Sequence, residues 1–179
     1  MADEQQQPDR KLMDNLEKFT AWSECYFEAI GLINKNEFAE AIPLLVEAER
    51  RIDANKTVHR AQIAERMGYC FHQLAKFEEA ERDYGQALIF ASTPLDETMF
   101  ELKGKENFVS PEERLAAESV QAEIHKQRDK SRQSSKQIIA VVLDMVERNY
   151  GSMLADQGKS EERDALASRI ADLRAQLLQ

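Results

Sequence analysis

An internal repeat constrains this 179-residue chain more than any other feature of its sequence. The segment FAEAIPLLVEAE (38–49) aligns with FEEAERDYGQAL (77–88) at an offset of 39 residues. Small residues let two helices approach closely, and the bulky residues between them fill the adjoining gaps. The repeat therefore predicts stacked helical units. The aligned residues are Phe38, Ala41, Leu45 and Ala48 in the first copy, and Phe77, Ala80, Tyr84 and Ala87 in the second.

Composition and periodicity also favour long helices over a turn-rich β fold. The chain has only 6 Gly and 4 Pro, and 32% of its residues are charged. Apolar residues recur three or four apart, as on one face of a helix. The predicted helices cover about 9–34, 37–53, 58–74, 77–91, 111–156 and 160–178. The sequence leaves open whether the helix over 111–156 is broken near SRQSSK (131–136).

Helix signals and breakers divide the chain into four parts. We expect a disordered polar tail over 1–8, two hairpins with an N-terminal helical extension over 9–91, a loop over 92–110, and a long helix followed by a C-terminal helix over 111–179. Pro43 removes one backbone hydrogen bond and should bend the second helix. Ser110 followed by Pro111 and Glu113 is typical of a capped helix start.

Gly68 and Phe71 precede the second copy at the spacing of a G-x-x-Y pair. With them, MGYCFHQLAKFEEAERDYGQAL (67–88) resembles a tetratricopeptide repeat. EAIGLINKNEFAEAIPLLVEAE (28–49) is similar, with Ala29 and Leu32 at the glycine and tyrosine positions. The resemblance covers about 22–91, and Pro43 is similar to the proline of kinesin-light-chain-type repeats.

A third, weaker copy spans YGSMLADQGKSEERDALASRI (150–170). Gly151, Leu154 and Gly158 fit the pattern, whereas Arg163 replaces the first packing alanine. The resemblance implies an all-α array of helical hairpins, with two clear repeats, a third elongated degenerate one and a C-terminal capping helix. Such a cap covers the open apolar end of a repeat array.

The resemblance also implies a binding groove lined by the first helix of each hairpin. Tyrosines there would give contact area, and amides would bond to an extended backbone. The alternative, that Tyr26 and Ile30 pack under neighbouring helices, stays open. A chaperone-type carboxylate clamp is disfavoured, because the matching positions hold Tyr26, Ile30 and Arg66 and its lysine and asparagines are missing. The predicted groove residues are Tyr26, Ile30, Gln62, Glu65, Tyr69, His72, Gln73 and Arg148.

Enzyme and metal motifs are absent from the sequence. It contains no GxSxG, glycine-rich phosphate loop, HExxH or DxDxDG pattern. The three histidines are scattered, and Cys25 and Cys70 fall among apolar helix positions, as buried structural thiols do. We therefore expect no catalysis, no cofactor and no metal site.

Net charge narrows the choice of partners. The formal charge of −9 disfavours nucleic acid, since attraction to phosphate supplies most of that affinity. Two cysteines without CxxC spacing, no secretory leader and no apolar run long enough for a membrane span suggest a cytoplasmic protein. One basic segment, HKQRDKSRQSSK (125–136), could dock an acidic partner, although its charges point around a helix instead of forming one face. Its basic residues are Lys126, Arg128, Lys130, Arg132 and Lys136.

The leading functional hypothesis is a non-catalytic adaptor that binds a peptide or helix of another protein. The first alternative is a structural subunit that dimerises through the 111–178 helices, for example through the stripe of Ile139, Val142 and Val146 or through the 166–177 face. The second is a regulatory binder of an acidic partner or nucleic acid through 126–136. Fold resemblance alone does not choose among them.

Overall fold

The computed structural model describes the backbone of residues 10–94 and 111–178, and the side chains of 21–94 and of most residues from 119 to 178. Every regular element in these ranges is an α-helix, which confirms the all-α prediction. The predicted tail, most of the predicted loop and the Ser110 cap lie outside the described residues. The helices are α1 (Arg10–Ile33), α2 (Phe38–Arg51), α3 (Thr57–Gln73), α4 (Phe77–Ala91), α5 (Pro111–Asp156) and α6 (Ser160–Leu177).

Two questions about helix continuity are answered. The 46-residue helix α5 runs without a break through 131–136. Helix α2 likewise continues past Pro43, which lies inside it. The missing N–H of this proline costs one backbone hydrogen bond but does not end the helix.

The helices pair in chain order as hairpins. Helix α1 packs on α2, α3 on α4, and α5 on α6, each across a short connection. Successive hairpins are joined because α3 also packs on α2, and α5 packs on both α3 and α4. The result is an array in which the middle hairpin, α3/α4, is covered on both sides.

All three hairpin turns have the same backbone geometry. In each, one residue has a positive φ: 63° at Asn36, 56° at Ala75 and 72° at Gly158. The following N–H then reaches back five residues, as in a Schellman motif. These turns are offset by 39 and 83 residues, so the third hairpin shares the register of the other two despite its weak sequence match. The bonds run from Glu37 to Leu32, from Lys76 to Phe71 and from Lys159 to Leu154.

Most of the repeated small and bulky residues fill the core, but the two leading aromatic residues do not. Phe38 is half-buried and Phe77 is 40% exposed. The other six aligned positions are buried: Ala41, Leu45 and Ala48 on α2, and Ala80, Tyr84 and Ala87 on α4. At Gly68 the approach is so close that an added Cβ would lie 2.8 Å from Cδ1 of Tyr84. The ring of Tyr84 in turn stacks on Tyr150 of α5, with centroids 5.3 Å apart.

Each end of the array has charged residues at positions that are apolar inside it. On α3 the residues facing the preceding hairpin are Ile63, Met67 and Cys70, and on α5 they are Val146, Tyr150 and Met153; on α1 the same positions hold Glu24, Glu28 and Gly31. At the other end, Arg163 and Ala167 of α6 are exposed where α4 buries Ala80 and Tyr84. Helix α6 therefore buries one face only.

Helix α5 is much longer than its partner. Its last third packs in the core from Ile139 onward, whereas no described side chain between 122 and 137 is buried. At 1.5 Å per residue, its 46 residues span about 69 Å.

Candidate protein-interaction face

The first helices of the three hairpins contact one another through polar side chains. The Arg66 guanidinium on α3 interacts with the Tyr26 hydroxyl on α1, and its Nη2 donates to Sδ of Met145 on α5 at 3.5 Å. Nδ2 of Asn149 on α5 donates to Oε1 of Glu65 at 3.0 Å. We call the side of the array formed here the first-helix face. Its partly or fully exposed residues are Tyr26, Ile30, Gln62, Tyr69, His72, Gln73, Met145 and Arg148.

Glu65 differs from its predicted role. It is only 1% exposed, so it lies beneath the face and cannot line it for a partner, as the sequence had suggested. Its second oxygen lies 3.5 Å from Nε of Arg66. Burial raises the pKa of Glu65, while Arg66 and the bond from Asn149 act in the opposite direction. The carboxylate thus has a structural role, since it accepts a hydrogen bond that joins α5 to α3.

The polar contacts repeat with the hairpins. Arg66 and Asn149 occupy equivalent positions, and each reaches the residue one place earlier in the preceding hairpin, Tyr26 or Glu65. At the first hairpin the same position holds Phe27, which is 69% exposed. We call these contacts the polar ladder.

Arg66 and Asn149 were missed as site residues by sequence reasoning. Arg66 was considered only as a position in a carboxylate clamp, and Asn149 was not considered. The repeat offset gives the signal that could have found them, because both are polar residues at the same position of successive repeats.

The aromatic residues of the face are held against its core. The ring of Tyr69 meets that of Phe38 edge-on, with centroids 5.8 Å apart. The ring of Tyr26 lies beside that of the buried Trp22, with centroids 6.1 Å apart. Burial raises the pKa of Tyr26, partly opposed by Arg66. Ile30 also packs against the first-hairpin core. Tyr26 and Ile30 are thus half-buried: each packs partly against the core and is partly exposed on the face.

The remaining face residues differ in exposure. His72 is half-buried beside Phe77, with ring centroids 6.2 Å apart, and burial lowers its pKa while Asp156 acts in the opposite direction. Gln73 and Arg148 are exposed. Within the described part of the chain, Arg148 makes no side-chain hydrogen bond or ion pair. Asp144, one turn earlier, is bound by Arg174 of α6.

The basic segment lies on the part of α5 that is outside the core. Lys126 is exposed and pairs with Glu123 at 3.7 Å. Because α5 is continuous, residues four apart share a side of the helix. Lys126 and Lys130 therefore lie on one side, and Arg128, Arg132 and Lys136 on another. The segment is an accessible charged helix with two basic stripes.

The surfaces suggested for dimerisation are used within the chain. Ile139, Val142 and Val146 are at most 2% exposed and pack in the core shared by α3, α4, α5 and α6. On α6, the buried residues are Leu166, Ile170 and Leu173. These apolar stripes are therefore not available to a second copy.

Reactive groups are few in the described residues. Cys70 is buried, and its burial, together with nearby Glu65, raises its pKa to about 12; Cys25 is half-buried. No group of three or more His, Cys, Asp or Glu residues in the described ranges could hold a metal ion. None of the helices, as far as they are described, is long and apolar enough to cross a membrane.

No protein-family model, no curated protein and no solved structure matches the chain.

Proposed function

We propose that the chain is a tetratricopeptide-type adaptor that binds an extended peptide or a helix of another protein on the first-helix face, without catalysis. One observation carries this proposal: exposed and half-exposed aromatic and amide side chains lie on α1 and α3, beside Met145 and Arg148 of α5, and the polar ladder links these three helices. Tyr69 and Gln73 on α3 are at the centre of this face.

The chemistry of the face suits a polypeptide ligand. Tyrosine rings give a large contact area with little loss of side-chain entropy, and glutamine amides can bond to main-chain groups. The ladder holds the first helices in fixed relative positions before a ligand arrives. Less ordering is then needed on binding, which favours affinity.

Site-specific photo-crosslinking tests the proposal in cell lysate. A photoreactive amino acid is placed at Gln73 or at Ser152, the exposed α5 residue equivalent to Tyr69 of the first-helix face. The control positions are Val46 and Ile89, which are 48% and 52% exposed on the second helices. We expect one partner to be crosslinked from both face positions and from neither control. Equal crosslinking from all four positions, or capture of this chain alone, contradicts the proposal.

A second candidate function rests on the exposure of the basic segment. Lys126, Lys130 and Lys136 could attract an acidic partner, because their part of α5 is outside the core. This attraction would be electrostatic and therefore weakened by salt. If an acidic partner binds equally well at low and high salt, or binds equally well to a variant with these three lysines changed to glutamine, this role is excluded.

A further inference from the structure

We infer that Glu65 determines the specificity of the first-helix face: it neutralises Arg66 from beneath, so the face selects a partner segment that is uncharged where it crosses α3. The inference rests on the proposed function, because it concerns what the same face accepts. It assigns the buried carboxylate a role in recognition that exposure alone would not suggest.

The first step is the position of Arg66. Its side chain is 25% exposed, at the middle of the face, and its guanidinium lies among Tyr26, Glu65 and Met145. An arginine so placed is a natural binding group for a carboxylate, because its planar fork of donors matches two carboxylate oxygens. An unpaired Arg66 would thus make the centre of the face an anion receptor.

The second step is the carboxylate below it. Glu65 is 1% exposed and 3.5 Å from Nε of Arg66, so water screens their interaction weakly. A ligand carboxylate at Arg66 would meet a second negative charge just behind the guanidinium. Like charges at such short range are costly where solvent is excluded. The pair therefore discriminates against acidic residues at this point.

The third step is that Glu65 is held in place. Asn149 donates to its Oε1 from the next hairpin, and Asn149 itself belongs to the polar ladder. The carboxylate cannot turn away from Arg66 without breaking this bond and leaving a buried polar group unsatisfied. Arg148, another cation of the face, is exposed on the neighbouring helix, where water weakens any ion pair.

Peptide selection on the full chain tests the inference. The probe is a displayed library of random 12-residue segments, flanked by fixed linkers so that no terminus is free. Peptides are selected on the wild type and on Glu65→Gln, which keeps the size of the side chain and an acceptor for Asn149. Asp156→Asn is the matched control, since it removes an exposed acid near the edge of the face.

We expect the wild type to select peptides no richer in Asp and Glu than the starting library. Glu65→Gln should select peptides enriched in these residues, and a synthetic copy of one should bind the variant at least tenfold more tightly than the wild type. The gain should shrink in high salt and be absent in Asp156→Asn. Glu65→Met should give the same shift, and Glu65→Met combined with Arg66→Met should restore the wild-type preference.

The outcomes separate the two proposals. Equal acid content in the wild-type and Glu65 variant pools, or an acid-rich wild-type pool, overturns the role of Glu65. The proposed function still stands in that case if binding is lost when Gln73→Trp blocks the face. If no pool binds better to the wild type than to Gln73→Trp, peptide binding on this face is itself excluded.

Discussion

The middle hairpin and the first hairpin share one backbone plan but differ in the helix face that looks toward the preceding unit. On α3 this face is apolar and buried, with Ile63 and Met67, whereas on α1 it carries Glu24 and Glu28 and is exposed. The turns of the two hairpins are otherwise alike. The difference teaches that stacking depends on these positions: apolar residues there pack on the preceding hairpin, whereas two acids leave the α1 face exposed.

The sharpest test of this comparison exchanges the two chemistries. Ile63→Glu should lower the free energy of unfolding by about 4 kcal/mol or more, because it buries a charge without a partner. Glu24→Ile, the reverse exchange at the equivalent exposed position, should change it by no more than about 0.5 kcal/mol. Urea unfolding followed by circular dichroism measures both. Similar losses in the two variants would show that the positions are not distinguished by burial.

Two helical glycines sharpen the same contrast through packing. Gly68→Ala should destabilise by about 1–3 kcal/mol, because the new Cβ would lie 2.8 Å from the buried Tyr84 ring. Gly31→Ala, in the first hairpin, has nothing within 4 Å of its Cβ and should stabilise by about 0.5–1 kcal/mol through helix propensity. Gly31 is equivalent to Cys70 in the repeat, whereas the equivalent of Gly68 is Ala29. Opposite signs in thermal and urea unfolding would show that the helices approach closely at Gly68 and not at Gly31.

Glu65 links the middle hairpin to the third through Asn149 and adds a pH dependence. Its pKa is raised in the folded chain, so its contribution to stability is full below its ordinary value of 4.5 and is lost as pH rises through the folded value. The wild type should therefore lose stability relative to Glu65→Gln as pH rises above about 4.5.

Urea unfolding of both proteins at several pH values checks this sign. Three other titratable groups around Glu65, namely Tyr26, Tyr84 and Cys70, have raised pKa values and stay neutral from acid to neutral pH. The Arg66 guanidinium lies 3.5 Å from the Glu65 carboxylate. A difference between the two proteins that is constant with pH would show that the ionisation of Glu65 is the same in the folded and unfolded states.

The smallest expected effect is the difference between the two thiols in their rate of chemical modification. Cys70 lies buried between hairpins with its pKa raised to about 12, whereas Cys25 of the first hairpin is half-buried. A thiol reagent at pH 8 should modify Cys25 first and Cys70 roughly tenfold more slowly or worse. Single Cys25→Ser and Cys70→Ser variants assign the two rates. Equal rates would mean that the middle hairpin opens as readily as the first.

Sequence reasoning predicted the helices and the hairpin order because both depend on local patterns. The register of the repeat followed from Ala41 and Ala80, each of which comes three residues after an aromatic residue. The pairing of helices into hairpins followed from the short polar turns between them. The third hairpin matched weakly because α6 buries one face only. Arg163 is therefore exposed where α4 buries the packing alanine Ala80.

The site was harder to predict, since burial depends on contacts between hairpins. Glu65 has the same helical position as Tyr26, and nothing local to it shows that Asn149, 84 residues later, will cover it. For the same reason the stripe of Ile139 and Val146 suggested a dimer contact in the sequence but lies in the core. The family resemblance itself remains a prediction.

The length of α5 gives the molecule a fixed span as well as a surface. A compact chain of 179 residues has a radius of gyration of about 16 Å, so a helix of about 69 Å must project well beyond such a body. X-ray scattering should therefore report a maximum dimension near the helix length. Lys136 and Lys126 lie about 18 and 33 Å along the axis from Arg148. The rigid helix thus fixes the distance between a molecule bound at the basic segment and a molecule bound at the first-helix face.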